Sequence, residues 1–286
     1  MKIGFVGLGI MGESMCENII KKHNEKVFVY DVVKEKTDKL TALGGIPCKD
    51  ASEVMRNADI FITMVPKSEH SMSVYKEVLG EVDGSKLCID MSTIDPSVSV
   101  EIADMVKTKG GHFIDAPVVK SKPAAIAGEL GIYVGGSEED FEKACPVLSY
   151  MGKNIIRMGD NGKGLVMKIC HNALVSQIQN GVNETSSLAS KYGIDILTFA
   201  KAISYGGAGN WYLDSKKETI AKEDFTTAFS IENEHKDVHI CLDMAKKMNF
   251  PMPGEENAAR VYDKAMEMGL GKEDFSASIK VVRDAK

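Results

Sequence analysis

Lys2-Ile-Gly-Phe-Val6, Gly7-Leu-Gly9-Ile-Met-Gly12 and Glu13-Ser-Met-Cys-Glu-Asn-Ile-Ile-Lys21 follow one another without a break. The first is a short apolar run of strand type, the second a glycine turn, and the third has helical periodicity. In such a unit Gly7 permits the tight turn and Gly9 lets the backbone approach a pyrophosphate. Gly12 allows the helix to pack closely on the strand, with its N-terminus facing the phosphates. A second strand, Lys26-Val-Phe-Val-Tyr30, ends in Asp31, where a carboxylate can accept hydrogen bonds from adenosine ribose hydroxyls. The plainer reading of Asp31 is a loop carboxylate after a buried strand, but the complete pattern favours a dinucleotide site. A carboxylate there repels a 2′-phosphate and no arginine follows closely, so NAD is expected over NADP; Lys34 and Lys36 keep NADP open.

Outward from this unit the alternation continues. Helices are expected over 34–43, 51–57, 68–79 and 96–107, and strands over 59–65, 86–90 and 111–115, which predicts a parallel, doubly wound sheet. Ligands bind outside the carboxyl ends of such strands, so Val65, Pro66, Ser92 and Thr93 should border the cofactor. Ser92 and Thr93 serve equally well as the N-cap region of the helix through Pro96. A small, kinked, locally basic segment, 116–128, leads to a strand over 130–135, a helix over 137–150 opened by a Ser-x-x-Asp/Glu cap, and a last strand over 154–158.

The chain has 286 residues, 44% of them hydrophobic, and a formal net charge of −6. That length suits two ordinary domains, expected at 1–161 and 162–286. No basic surface invites nucleic acid and no polycationic segment invites a membrane, so a small solute is the expected partner. No apolar run approaches membrane-spanning length and no signal-type segment precedes the first strand, so a cytoplasmic protein is expected. Cys16, Cys48, Cys88, Cys145, Cys170 and Cys241 lie far apart without ligand spacing and read as reduced packing residues.

Beyond the sheet stands Gly159-Asp-Asn-Gly162-Lys-Gly164-Leu-Val-Met-Lys168-Ile-Cys-His171-Asn172. A glycine-rich turn launches a helix expected over 164–192, on which Lys168 and Asn172 share one face. Alone, Lys168 reads as a solvated helix lysine. Beside a nucleotide domain it can hand a proton to a carbonyl oxygen while a cofactor delivers hydride. Later segments show helical patterns only, over 195–204, 229–248 and 258–268, so an all-α C-terminal domain joined by a long bridging helix is expected. Gly206-Gly-Ala-Gly209 breaks the chain beside Trp211, the single tryptophan, read as a site-lining residue or a core anchor. His235 and His239 stand at i, i+4, a possible metal pair. No third ligand is evident, so packing or surface exposure is favoured and no metal is assigned.

Together, Gly7-Leu-Gly9-Ile-Met-Gly12, Asp90-Met-Ser-Thr93, Asp115-Ala-Pro-Val118, the Gly159 to Asn172 block and His235-Lys236-Asp237 resemble the β-hydroxyacid dehydrogenases, which include 3-hydroxyisobutyrate and tartronate semialdehyde enzymes. The resemblance covers essentially the whole chain. It implies Lys168 as catalytic proton donor and acceptor, Asn172 as a substrate-orienting amide, and Lys236 close to nicotinamide and substrate, with His171 a further substrate-binding candidate. It also implies that Ile10, Met11, Asp31, Val65, Pro66 and Thr93 line the NAD site. Where most of the family has Ser-Gly-Gly after Asp-Ala-Pro-Val, this chain has Val119-Lys120-Ser121. The loss of two glycines and the gain of an ammonium and a hydroxyl suit a more strongly acidic group, sulfonate or phosphonate. The sulfolactaldehyde reductases of the family are similar at this place, so Lys120 and Ser121 become substrate-anion candidates; a surface lysine on a shifted loop is the alternative.

The expected activity is NAD-dependent interconversion of a short anionic semialdehyde and its hydroxy acid. A decarboxylating phosphogluconate-type enzyme shares the N-terminal motifs but needs a larger C-terminal half. An imine reductase is disfavoured because Lys168 is lysine, and a non-catalytic dinucleotide-binding module by the presence of Lys168 with Asn172. A homodimer or homotetramer is expected, because long-helix α domains bury their remaining apolar face against a copy of themselves.

Overall fold

The computed structural model describes residues 1–283, which divide into two compact units, one spanning Met1–Lys168 and one from Ile169 onward. The first unit alternates strand and helix: β1 (Ile3–Val6), α1 (Ile10–Lys22), β2 (Val27–Tyr30), α2 (Lys34–Thr41), β3 (Ile46–Pro47), α3 (Ala51–Asn57), β4 (Ile60–Thr63), α4 (Ser68–Val78), β5 (Leu87–Asp90), α5 (Pro96–Thr108) and β6 (His112–Asp115). There follow β7 (Val118–Val119), α6 (Lys122–Ala127), β8 (Leu130–Gly135), α7 (Glu138–Leu148) and β9 (Gly152–Gly159). The strands form one sheet in the order β3-β2-β1-β4-β5-β6-β8-β7, with β9 paired to β8.

Period-two alternation explains why β1, β2, β4, β5 and β6 read as largely apolar runs. Ile3, Phe5, Val29, Ile62, Ile89 and Ile114 enter one core, while Val6, Phe28, Phe61, Cys88 and Phe113 enter another. A sheet covered by helices on both faces needs apolar side chains on both. In the second core Tyr75 lies edge-on between Phe61 and Phe113, with ring centroids 6.0 and 5.4 Å away, and its hydroxyl is 3.2 Å from that of Thr63.

The sheet is not parallel throughout. β1 to β6 pair in parallel, but β8 is antiparallel to β6 and to β7. A parallel return needs a covering crossover, usually a helix; between β6 and β8 the chain supplies only the six-residue α6, so it doubles back. With α7 as crossover, β9 pairs in parallel with β8.

α8 (Lys163–Lys191) begins in the first unit and continues into the second, followed by α9 (Ile196–Ile203), α10 (Trp211–Lys222), α11 (Ile231–Lys247), α12 (Pro253–Glu267) and α13 (Ile279–Arg283). Among the described residues of the second unit the only β pairing is the isolated bridge Ser230–Asp274. Its core gathers Val182, Tyr212, Leu213, Ile231, Val238, Tyr262 and Phe275. Asp274, fully buried, binds the Lys216 ammonium at 2.8 Å and accepts the Ala228 N–H.

Three local expectations change. Trp211 opens α10 and is 76% exposed, so it is no core anchor; its neighbour Tyr212 is the buried aromatic. α12 starts at Pro253 rather than Ala258, because proline suits a first helical turn. Cys170 is exposed rather than packed; all six cysteines are free thiols.

Candidate active site

The turn between β1 and α1 is shaped for a phosphate-bearing ligand. Gly7 has φ +94°, and a Cβ on it would stand 2.3 Å from the Met64 carbonyl oxygen; one on Gly12 would stand 2.0 Å from that of Gly7. Gly9, by contrast, is the N-cap of α1 and has nothing within 4 Å of where a Cβ would be. It makes no side-chain cap, so the first-turn N–H groups of Ile10, Met11 and Gly12, which have no intrahelical acceptor, remain for an anion. Ile10 is 59% exposed and Met11 half-buried beside this opening.

Asp31 closes the other side of the turn. Its carboxylate accepts the Leu8 N–H at 2.7 Å and the Val33 N–H at 2.8 Å, with the Lys36 ammonium 3.8 Å away. Lys34 is paired with Asp38 instead, at 2.8 Å. At the ends of β4 and β5, Val65 donates its N–H to the Ser92 hydroxyl at 2.8 Å. Ser92 thus ties two strand ends together. The cap of α5 is Asp95, which accepts the Ser97 N–H, and this corrects the capping alternative for Ser92 and Thr93. Thr93 is half-buried and Pro66 exposed. These residues fit a dinucleotide: a bare turn for the pyrophosphate and an oriented carboxylate at the end of β2 for a ribose diol.

The helix that carries Lys168 is anchored by a residue whose role the sequence did not disclose. Asp115, at the end of β6 and fully buried, accepts the Gly162 N–H at 2.6 Å and the Leu165 N–H at 2.9 Å. It thereby caps the N-terminus of α8 from another strand. Burial pushes its carboxyl up to about 6, against the opposing pull of those N–H donors. Gly164 makes the approach possible, since a Cβ on it would lie 2.8 Å from an Asp115 oxygen and 2.6 Å from the Tyr133 carbonyl. Lys168, on the following turn, is 7% exposed. A lysine is rarely this buried without a task or a partner, so the solvated reading does not hold.

In the second unit, Asn172 is buried and its amide donates to Asp237 at 2.6 Å. The Lys236 ammonium lies 2.9 Å from the other oxygen of that carboxylate. Asp237, 1% exposed, thus joins two residues that the resemblance treats separately; the only sequence signal for it is its place in His235-Lys236-Asp237. His171 is half-buried.

Lys120 and Ser121 link β7 to α6. Lys120 has φ +76°, a conformation that costs a side-chain-bearing residue about 1 kcal/mol. Its exposed ammonium donates to the Glu129 carbonyl at 3.0 Å. Ser121, half-buried, is the N-cap of α6 without making a side-chain cap.

Residues 2–159 match the family model of the NAD binding domain of 6-phosphogluconate dehydrogenase. Residues 162–282 match the model described as NAD-binding of NADP-dependent 3-hydroxyisobutyrate dehydrogenase. Fold and turn geometry with these two matches define an NAD(P)-binding oxidoreductase.

Among relatives, 2-(hydroxymethyl)glutarate dehydrogenase of Eubacterium barkeri is 34% identical, over 98% of this chain and 94% of its own. Glyoxylate/succinic semialdehyde reductase 1 of Arabidopsis thaliana is 32% identical over 99% of both. The structure of Mycobacterium tuberculosis 3-hydroxyisobutyrate dehydrogenase with L-serine superposes with a TM-score of 0.92 at 29% identity, covering 99% of each chain. The chain belongs to the 3-hydroxyisobutyrate dehydrogenase-like family of β-hydroxyacid dehydrogenases.

Proposed function

We propose that this enzyme interconverts a short anionic semialdehyde and its hydroxy acid with NAD(H), 3-sulfolactaldehyde being the substrate that its loop suits best. The observation that carries the reading is Lys168, buried on a helix whose start is fixed to the nucleotide-binding sheet through Asp115. Hydride is supplied by the nicotinamide when the cofactor is bound. Lys168 gives a proton to the substrate oxygen in the reducing direction and takes it back in the oxidising one, and its ammonium stabilises the negative charge on that oxygen. Asn172, oriented by Asp237, holds the substrate chain, and Lys236 contributes positive charge. Asp31 favours NAD because a carboxylate held by two backbone N–H groups accepts from a diol and opposes a 2′-phosphate.

Lys120 and Ser121 distinguish the sulfonate reading from a carboxylate one. The positive φ of Lys120 supports the first, since backbone strain persists where the side chain has a use. The hydrogen bond of its ammonium to the Glu129 carbonyl supports the second, in which a 3-hydroxyisobutyrate, tartronate semialdehyde or succinic semialdehyde type of substrate is used and Lys120 stays on the surface.

The test is NADH consumption with sulfolactaldehyde, succinic semialdehyde, tartronate semialdehyde and methylmalonate semialdehyde, for the wild type and Lys120→Gly. The sulfonate reading expects the highest kcat/KM with sulfolactaldehyde and a loss of about tenfold or more in Lys120→Gly, as for one charge-assisted hydrogen bond. Turnover of carboxylates alone sinks the sulfonate reading and leaves the dehydrogenase; no turnover of any aldehyde favours a dinucleotide-binding module.

A further inference from the structure

α11 and α12 are joined by residues 248–252 alone and pack against one another. On one side of this pair three ligand-type side chains meet. His235 and His239 stand one turn apart on α11, so both imidazoles project from one face. Asp263 faces them from α12: its Oδ1 lies 2.9 Å from His235 Nε2 and 2.8 Å from His239 Nε2. The rings have centroids 4.4 Å apart and planes inclined at 61°, so the nitrogens approach the oxygen from different directions. One donor atom from each residue falls within 4.8 Å of the others. The side chains are 29%, 43% and 46% exposed, which leaves a hydrated cation an entry path.

We infer that His235 Nε2, His239 Nε2 and the Asp263 carboxylate form a binding site for a divalent cation of the zinc class. Imidazole nitrogen and carboxylate oxygen suit zinc and its first-row neighbours better than magnesium or calcium, which prefer all-oxygen shells. The i, i+4 histidine pair has the spacing by which a single helix offers two ligands to zinc. A tetrahedral ion bound at about 2.0–2.2 Å holds its donors roughly 3.3 Å apart. The observed nitrogen–oxygen separations need to open by only about half an ångström, within reach of small side-chain rotations. Three protein ligands leave a fourth position for water. The bound ion cross-links α11 to α12 and so stiffens the helix that carries Lys236 and Asp237. The sequence concealed the third ligand because Asp263 lies 24 residues beyond His239, and only the packing of the two helices brings it there.

The experiment uses the full chain without a polyhistidine tag, stripped with a chelator, then titrated with Zn²⁺ by calorimetry and with Co²⁺ by visible absorption. Expected are one ion per chain, a micromolar or tighter dissociation constant, cobalt bands of tetrahedral intensity, and a Tm rise of about 5 °C at a hundredfold excess over Kd. His239→Ala and Asp263→Asn each weaken binding at least about tenfold, while His70→Ala, on α4, leaves it unchanged. Far-UV circular dichroism without metal shows whether each variant folds; His239→Gln replaces any that does not. Absence of zinc binding up to millimolar concentration, or binding that persists in these folded variants, overturns the site.

Discussion

Lys168 is the residue on which the proposed chemistry turns. Removing an ammonium from water is costly, and lysine is among the side chains least often buried, yet this one is 7% exposed on the helix capped by Asp115. As the proton donor, its loss should remove turnover while leaving the nucleotide turn of β1 and α1 intact. Lys168→Ala is expected to lower kcat by about 10³-fold, within the range of general acid–base catalysis, with NADH affinity by fluorescence changed less than about twofold. Near-normal turnover would take Lys168 out of the mechanism. At this scale the sequence disclosed positions more readily than partners. The spacing from the glycine turn placed Asp31 at the end of β2, but nothing in the string showed that the Leu8 and Val33 N–H groups hold its carboxylate. Asp237 was likewise visible only as a neighbour of Lys236, because its contact with Asn172 spans 65 residues.

Among the elements, the junction of β6 with α8 carries the most consequence. Helix N-termini leave N–H groups without intrahelical acceptors, and at the start of α8 the Asp115 carboxylate of β6 satisfies the Leu165 N–H together with that of the preceding Gly162. Burial raises the Asp115 carboxyl from 3.8 to about 6, so between those values the folded chain binds a proton that the unfolded chain releases. The stability contributed by this group is therefore complete below the unfolded value and is lost as the pH rises through about 6; the window of loss corresponds to about 3 kcal/mol. Asp115→Asn removes the titration. The stability of wild type minus that of the variant, from denaturant unfolding, is expected to fall by about 3 kcal/mol between about pH 3.5 and pH 7. A difference independent of pH would show that Asp115 does not titrate in this range. Element boundaries were legible where caps are local, as with Ser137 opening α7 and Asp195 opening α9. They were illegible where the signal was masked. α10 was missed although Asn210 caps it through the Leu213 N–H at 2.8 Å, because the glycines before it read as a continuing loop.

For the whole molecule, the doubly wound plan was readable because β1, β2, β4, β5 and β6 are apolar on both sides, and the helical second half because no later segment alternates. The antiparallel β8 was not, since strand direction depends on what the intervening segment can cover, which single-strand patterns do not encode. Assembly is the remaining question at this scale, and the long helix α8 bears on it. Leu174, Leu188 and Tyr192 are 60%, 62% and 81% exposed. At 100° per residue Leu174 and Leu188 fall within about 40° of one line along α8, and Tyr192 follows directly after its last residue. Gly181 lies on the same stripe, with nothing within 4 Å of where a Cβ would be. An apolar stripe with a bare position at its middle can receive a second helix closely, and a copy of this chain is the proposed occupant. Light scattering after size exclusion is expected to give twice or four times the 31.1 kDa chain mass, and Leu188→Glu, which places charge on the stripe while leaving the unit's core untouched, should shift the mass downward. A single-chain mass for the wild type at micromolar concentration would rule out the assembly, and an unchanged mass for the variant would move the interface off α8.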